Sequence, residues 1–285
     1  MMPDTAPAQV KEHAFESVGG VRIFARSWHP ARTPRGVVAV VHGFNSHSGY
    51  YGWVAERLAA RGLSVYALDL RGRGRSEGER FYVESFDDYV SDVEKLLELA
   101  RSRAPRLPVF VLGHSAGGVV SCLYALGHQN ELAGLICESF AYELPAPDFA
   151  LAILKSLSHF APHAHVLALK NETFSRDPSV VAAMNADPLI ANEVQPTKTV
   201  AAMVLADGRL KKEFSRVTLP VLILHGTLDQ DAKLSGSQHF YDAAGSTDKT
   251  LKVYEGSVHD LLNDLDKQVV MADIESWLAA RLPAA

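Results

Sequence analysis

Two cysteines in 285 residues are too few for a disulfide framework. Cys122 and Cys137 sit in apolar surroundings and are expected as reduced core thiols. No uninterrupted apolar run approaches the ~18–20 residues that a bilayer-spanning helix needs. Residues 1–11 include Pro3, Asp4 and Pro7 and lack a basic stretch followed by an apolar one, so they do not resemble a secretory signal. A soluble protein of a reducing, cytoplasmic compartment is the expectation. Charge of one sign is not in large excess: 28 basic residues face 33 acidic ones, for a net charge of −5. No basic stripe is interleaved with aromatics, which argues against a nucleic-acid partner.

What is present is a globular composition, 47% hydrophobic and 21% charged, at a length that one α/β domain commonly reaches. The turn pair Gly19-Gly20 precedes a partly alternating strand over 21–28. Residues 36–43 form a continuous β-branched run, as a strand buried on both faces requires. Helical spacing over 51–61 stops at Gly62, and a strand is expected over 64–69. An amphipathic helix over 86–100, a strand over 108–113, a helix over 117–126 and a strand over 132–137 continue the alternation. Such alternation implies right-handed crossovers and a mostly parallel sheet. From 140 to 214 the rhythm breaks into helical stretches, prolines and an apolar segment at 149–157. Strands resume at 219–226 and 250–255, and a helix over 266–281 follows. The expected organisation is a core of residues 1–139 and 215–285, with 140–214 as a helical cap inserted over one edge of the sheet.

Gly113-His114-Ser115-Ala116-Gly117 fits G-x-S-x-G between a predicted strand and a predicted helix, the context of a nucleophile elbow. Glycines allow the tight turn, and the helix that follows aims its N-terminal amides at the serine. A serine hydroxyl needs a base, and the base needs a third group to fix its tautomer. The chain order for this topology is Ser, acid, His. Asp229 follows the strand ending at Gly226, and His259 follows the strand ending at Glu255. Both therefore fall at C-terminal strand ends, where open α/β sheets bind ligands. Asp231 competes with Asp229 for the imidazole, and Asp260 suits capping the following helix. His42 and His225 are expected as hydrogen-bonded orienters. The oxyanion donors are expected from the backbone N–H groups of Phe44 and Ala116, with Gly43 permitting close approach.

Other features read as structure. Residues 69–78 are basic and glycine-rich but lack G-x-x-x-x-G-K-[ST] and open no helix, so a hydrogen-bonded loop is expected rather than a phosphate site. His159, His163 and His165 invite a metal, but Pro162 interrupts the turn that would align the first two, and no metal site is expected.

Taken together, His42-Gly43-Phe44, residues 69–78 (D-x-R-G-x-G-x-S-x-G), Gly113 to Gly118 (G-H-S-x-G-G), Asp187-Pro188-Leu189 and 248–259 resemble the monoacylglycerol lipase family, within a group of serine hydrolases that includes lysophospholipases. The resemblance implies an α/β-hydrolase fold: a mostly parallel eight-stranded sheet flanked by helices, with a mobile cap over an acyl channel. It implies no cofactor, and hydrolysis of monoacylglycerols or simpler esters, with a transient membrane or micelle contact through the cap. Phe149, Leu151, Ile153, Leu154, Leu157 and Phe160 would wall an acyl chain or pack the cap onto the body. Departures at 230–232 and 140–169 leave lysophospholipase, thioesterase, aminopeptidase and ligand-receptor alternatives open. A peptidase would need an acidic grip on a free amine, such as Glu138 or Glu143. A dehalogenase would need Asp at 115 and is excluded.

Overall fold

The structure, a computed structural model, describes residues 7–142 and 148–283, and of 148–153 only the backbone. The chain opens on a hairpin, β1 (Gln9–Ser17) and β2 (Val21–His29). Its turn glycines, Gly19 and Gly20, hold φ of +83° and +72°, where a side chain would be strained. Then β3 (Gly36–Val41), α1 (Gly52–Ala60), β4 (Leu63–Leu68), α2 (Phe86–Arg103), β5 (Val109–His114), α3 (Ala116–His128) and β6 (Gly134–Glu138) alternate. After β6 come α4 (Asp148–Phe160), β7 (His165–Leu167), α5 (Pro178–Ala186), β8 (Gln195–Pro196) and α6 (Thr197–Glu213). β9 (Val221–Gly226), α7 (Leu234–Ala243), β10 (Lys249–Tyr254) and α8 (Lys267–Ala279) follow.

Eight strands form one sheet in the order β1-β2-β4-β3-β5-β6-β9-β10. The pairings of β1 with β2 and of β2 with β4 are antiparallel, and all others in this sheet are parallel. β3, β4, β5, β6 and β9 are buried at every residue, which is why their sequences are apolar without alternation. The two-residue period of β3 still sorts its side chains. Val38 and Val40 pack with Val54 and Leu58 of α1 and Ile274 and Trp277 of α8. Val37, Ala39 and Val41 join the opposite layer, built by α2, α3, α6 and Phe240 of α7.

The α2 boundary is set by a capping box: Ser85 accepts the N–H of Asp87, and the Asp88 carboxylate accepts that of Ser85 at 3.2 Å. Two features were not legible in the sequence. β7 and β8 pair as a short antiparallel ribbon, too brief and too polar to show a period. α7 has Gly236 and Ser237 on its buried side, which hides its helical stripe. The parallel strands bring the loops after β3, β5, β6, β9 and β10 to one edge of the sheet, where the site is assembled.

Candidate active site

Ser115 joins β5 to α3 with φ +54° and ψ −123°, a strained backbone for a serine. Two hydrogen bonds hold that conformation. The Ser115 N–H donates to the Glu138 carbonyl oxygen, and the Gly118 N–H donates to the Ser115 carbonyl oxygen, both at 2.9 Å. The flanking glycines answer to contact: a Cβ at Gly113 would lie 2.4 Å from the Gly117 carbonyl oxygen, and one at Gly117 would lie 2.1 Å from that of Val41. α3 begins at Ala116, so its free N-terminal amides face the serine and favour negative charge there.

His259 is buried in the loop after β10. Its Nε2 lies 2.9 Å from Ser115 Oγ, and its Nδ1 lies 2.9 and 2.8 Å from the two carboxylate oxygens of Asp229. Asp229 Oδ1 also accepts the N–H groups of Asp231 and Ala232, each at 2.9 Å, which fixes the carboxylate before it meets the imidazole. Burial alone would lower the His259 pKa, but the Asp229 charge and hydrogen bond, joined by Asp231 and Asp260, outweigh it and shift it upward. For Asp229, burial pushes upward and the His259 contact reverses it, so its pKa is lowered. The three side chains form one hydrogen-bonded relay from hydroxyl to carboxylate.

The other candidate acids and histidines have hydrogen-bond partners of their own. Asp231 accepts the hydroxyl proton of Thr173, and burial raises its pKa. One donor atom each from Asp229, Asp231 and His259 lie within 4.8 Å of one another, so Asp231 is a close neighbour although its carboxylate is not on Nδ1. Asp260 caps the short turn after it, accepting the N–H of Asn263 at 3.2 Å. His225 contacts Ser237 Oγ and the Ala232 carbonyl oxygen at 2.8 and 3.3 Å, and its Nε2 also lies 3.3 Å from Asp229 Oδ2, so it borders the acid without reaching Ser115. His42 Nε2 accepts the N–H of Leu70 at 3.0 Å, and burial lowers its pKa to about 4. His159 and His163 do not converge on a metal: the first meets the Lys155 carbonyl, the second Glu79.

The loop after β3 runs against the nucleophile, for a Cβ on Gly43 would lie 2.7 Å from Ser115 Cβ. Phe44 directly follows this contact in the chain. The next residue, Asn45, has φ +48° and is tied three ways. Its N–H donates to Glu193 Oε1 at 2.9 Å, and its Nδ2 donates to the Leu169 carbonyl at 3.3 Å and to Asn171 Oδ1 at 2.9 Å. Glu193 also pairs with the buried Arg73, whose guanidinium lies 4.3 Å from the centre of the Phe44 ring. Sequence reasoning missed this seam, because a basic residue in a glycine-rich loop gives no sign of its partner 120 positions away. The rest of 69–78 is hydrogen-bonded structure, with Asp69 accepting the N–H groups of Ser48 and Arg75 at 2.7 Å each.

Of the apolar residues expected in a cap, Phe149, Leu151 and Ile153 have side chains outside the described residues. Leu154 is half-buried, whereas Leu157 and Phe160 are 40% and 88% exposed. Glu138 is wholly buried behind Ser115, with Oε1 accepting the N–H of Leu262 at 3.1 Å, so it cannot grip a substrate amine. Glu143 lies outside the described residues. Among the described residues no helix is long and apolar enough to cross a membrane.

A sequence profile described as serine aminopeptidase, S33, matches residues 32–266. The monoacylglycerol lipase of Mycolicibacterium smegmatis is 36% identical over 274 residues, covering 95% of this chain and 98% of the relative. The chain belongs to the monoacylglycerol lipase family of α/β-hydrolases. Human monoglyceride lipase is 32% identical over 99% of this chain and 95% of its own length. The crystal structure of the Paleococcus ferrophilus monoacylglycerol lipase superposes with a TM-score of 0.80 at 28% identity, covering 96% and 99% of the two chains. Membership makes the protein a serine hydrolase on the fold that the motifs implied.

Proposed function

We propose that the chain hydrolyses monoacylglycerols and related carboxylic esters through an acyl-enzyme on Ser115. Ser115 Oγ attacks the ester carbonyl while His259 Nε2 takes its proton, then returns it to the departing alcohol. Asp229 holds the imidazole by Nδ1 and stabilises the imidazolium. The N–H groups of Phe44 and Ala116 receive the oxyanion; loss of one such donor typically costs about 2.7–4 kcal/mol of barrier. Water activated by His259 then releases the acid. The observation that carries this reading is the unbroken hydrogen-bond relay of 2.9 Å from Ser115 to His259 and 2.8 Å from His259 to Asp229. The names of relatives matched over nearly the whole chain, monoacylglycerol and monoglyceride lipases, support monoacylglycerols as the substrate class.

Residues 140–214 serve as the cap over a core of 1–139 and 215–285. The exposed Leu157 and Phe160 support a transient contact of the cap with a lipid surface. The experiment is hydrolysis of p-nitrophenyl esters and monoacylglycerols over a range of acyl lengths, with Ser115→Ala as control. Activity that depends on chain length and vanishes in the variant is expected. Wild-type protein inactive on all esters, or a variant as active as wild type, overturns the proposal.

A further inference from the structure

Behind the relay lies a second group of titratable side chains that the mechanism does not use. His114, Glu138 and Asp260 are 0%, 0% and 5% exposed, and one donor atom from each lies within 4.8 Å of the others. They come from three elements that carry the chemistry. His114 precedes the nucleophile, Glu138 ends the neighbouring strand, and Asp260 follows the base. Glu138 is hydrogen-bonded to the backbone of the nucleophile and to the loop that follows the base. Its carbonyl oxygen accepts the N–H of Ser115 at 2.9 Å, and its carboxyl Oε1 accepts that of Leu262 at 3.1 Å, three residues after His259. Glu138 Oε2 has no hydrogen-bond partner among the described residues.

We propose that Glu138 is a positioning residue, an uncharged buried carboxylic acid that fixes the loop carrying His259 relative to Ser115. Two carboxyl groups this close in a buried site do not both ionise without a cation between them. The charges that bear on Glu138, those of Asp260 and Asp229, argue the same way, whereas His259 in its protonated form faces Asp260 and favours that carboxylate as the ionised one. Asp260 and Asp229 are acidic, Tyr51 and Tyr254 are neutral, and His114 is held neutral because burial lowers its pKa to about 4. Asp260 has the fuller polar support among these side-chain contacts, with Asn263 N–H and Nδ2 on both its oxygens, whereas Glu138 Oε2 has no partner among the described residues. Burial, then the Asp260 charge, pushes the Glu138 pKa well above the usual carboxylate range. As an acid, Glu138 keeps Oε1 as an acceptor while adding no second negative charge beside His259.

This rests on the triad proposed above, and its test reads both activity and stability. The rate at which a fluorophosphonate probe labels Ser115 is followed against pH in wild type, Glu138→Gln and Glu138→Leu. Glutamine keeps the shape, the acceptor and the neutrality, so labelling stays within about threefold of wild type and the midpoint of the acid limb does not move. Leucine leaves the Leu262 N–H unpaired, and the maximal labelling rate falls about tenfold while probe affinity is kept. An acid limb that drops in Glu138→Gln means that Glu138 is charged in the wild type, and overturns the proposal. So does a leucine variant that labels like wild type, since Glu138 would then only fill space.

Chemical unfolding gives the activity-independent arm. A carboxyl protonated in the native state but ionised in the unfolded chain makes wild type lose stability as pH rises above the unfolded value of about 4.3. Glu138→Gln lacks that loss, so the ratio of the two unfolding constants changes by up to about tenfold per pH unit until the native Glu138 pKa is passed. A pH-independent ratio overturns the proposal even if the leucine variant fails to fold. Labelling that persists in Ser115→Ala would defeat the triad and leave this stability test to decide Glu138 alone.

Discussion

The sheet and the segment of residues 140–214 are held in place by opposite means. Sheet strands are fixed by backbone ladders and by side chains buried on both faces, as in β3 and β5. The segment meets the body near the catalytic edge largely through polar side chains. Arg73 meets Glu193 and Gln195, His47 and Tyr50 meet Asp187, Arg176 meets Asp264, and Thr173 meets Asp231. Its two ends are the exception: Phe140 and Tyr142 at the start, and Ala202, Met203, Ala206 and Leu210 of α6 with Phe214 at the finish, join the main core. Apolar burial sets where the reacting groups stand with little tolerance, because interiors are close-packed. Polar seams are specific but can part into water, so a cover can be tied down without being fused to the core.

The comparison is broken first on the sheet side. Ser115→Ala should lower ester turnover by on the order of 10⁴–10⁶ with unfolding unchanged. Asp229→Asn should cost about 10⁴ in kcat by presenting the wrong tautomer. Asp231→Asn, two residues on but tied to Thr173, should cost less than about tenfold by loss of one neighbouring charge. Equal losses at 229 and 231 would mean that the relay is misassigned.

The seam comes second. Glu193→Leu leaves the Arg73 guanidinium buried without its partner, so a loss of about 3–5 kcal/mol in urea unfolding is expected. Turnover falls too, because Asn45 loses the acceptor that holds the Phe44 loop. Arg73→Met in the same chain should recover much of the stability. A variant as stable as wild type would show that the seam is dispensable. Third is pH: since the His259 pKa is raised, kcat/KM should climb through a midpoint above about 6.5, the ordinary histidine value. Deprotonated imidazole is the active form, so activity is lost on the acid side. Asp229→Asn removes a charge that raises this pKa and should move the midpoint down, whereas an unmoved midpoint would detach the limb from His259.

The same contrast explains what could be read from sequence. Ser115, Asp229 and His259 were legible as candidates because each follows a strand-like run, at 108–113, 219–226 and 250–255 respectively. Asp229 over Asp231 was a choice of side-chain direction, and the structure places Asp229 on Nδ1. Arg73 with Glu193, and Glu138 with Asp260, were illegible because pairing across more than 100 residues follows from tertiary packing, not from local pattern. At His159 and His163 proximity in sequence invited a cluster, Pro162 already argued against their sharing a helix face, and the two side chains meet the Lys155 carbonyl and Glu79.

The smallest expected effect lies at the exposed end of α4, and it sharpens the comparison from the cap side. Leu157 and Phe160 are 40% and 88% exposed, so replacing Phe160 with serine removes little buried area and should leave unfolding unchanged. Their value would be realised only against an apolar surface outside the molecule, where a partly inserted side chain contributes on the order of 1 kcal/mol. Phe160→Ser should therefore leave hydrolysis of a dissolved short-chain ester untouched. On an emulsified long-chain monoacylglycerol it should reduce the rate by about fivefold, with the loss appearing as weaker surface binding. An equal loss on both substrates would place Phe160 in the path of the acyl chain, and no loss on either would make its exposure incidental. The first of those results would make the cap an extension of the core in function as well as in position, because one side chain would then serve every substrate alike.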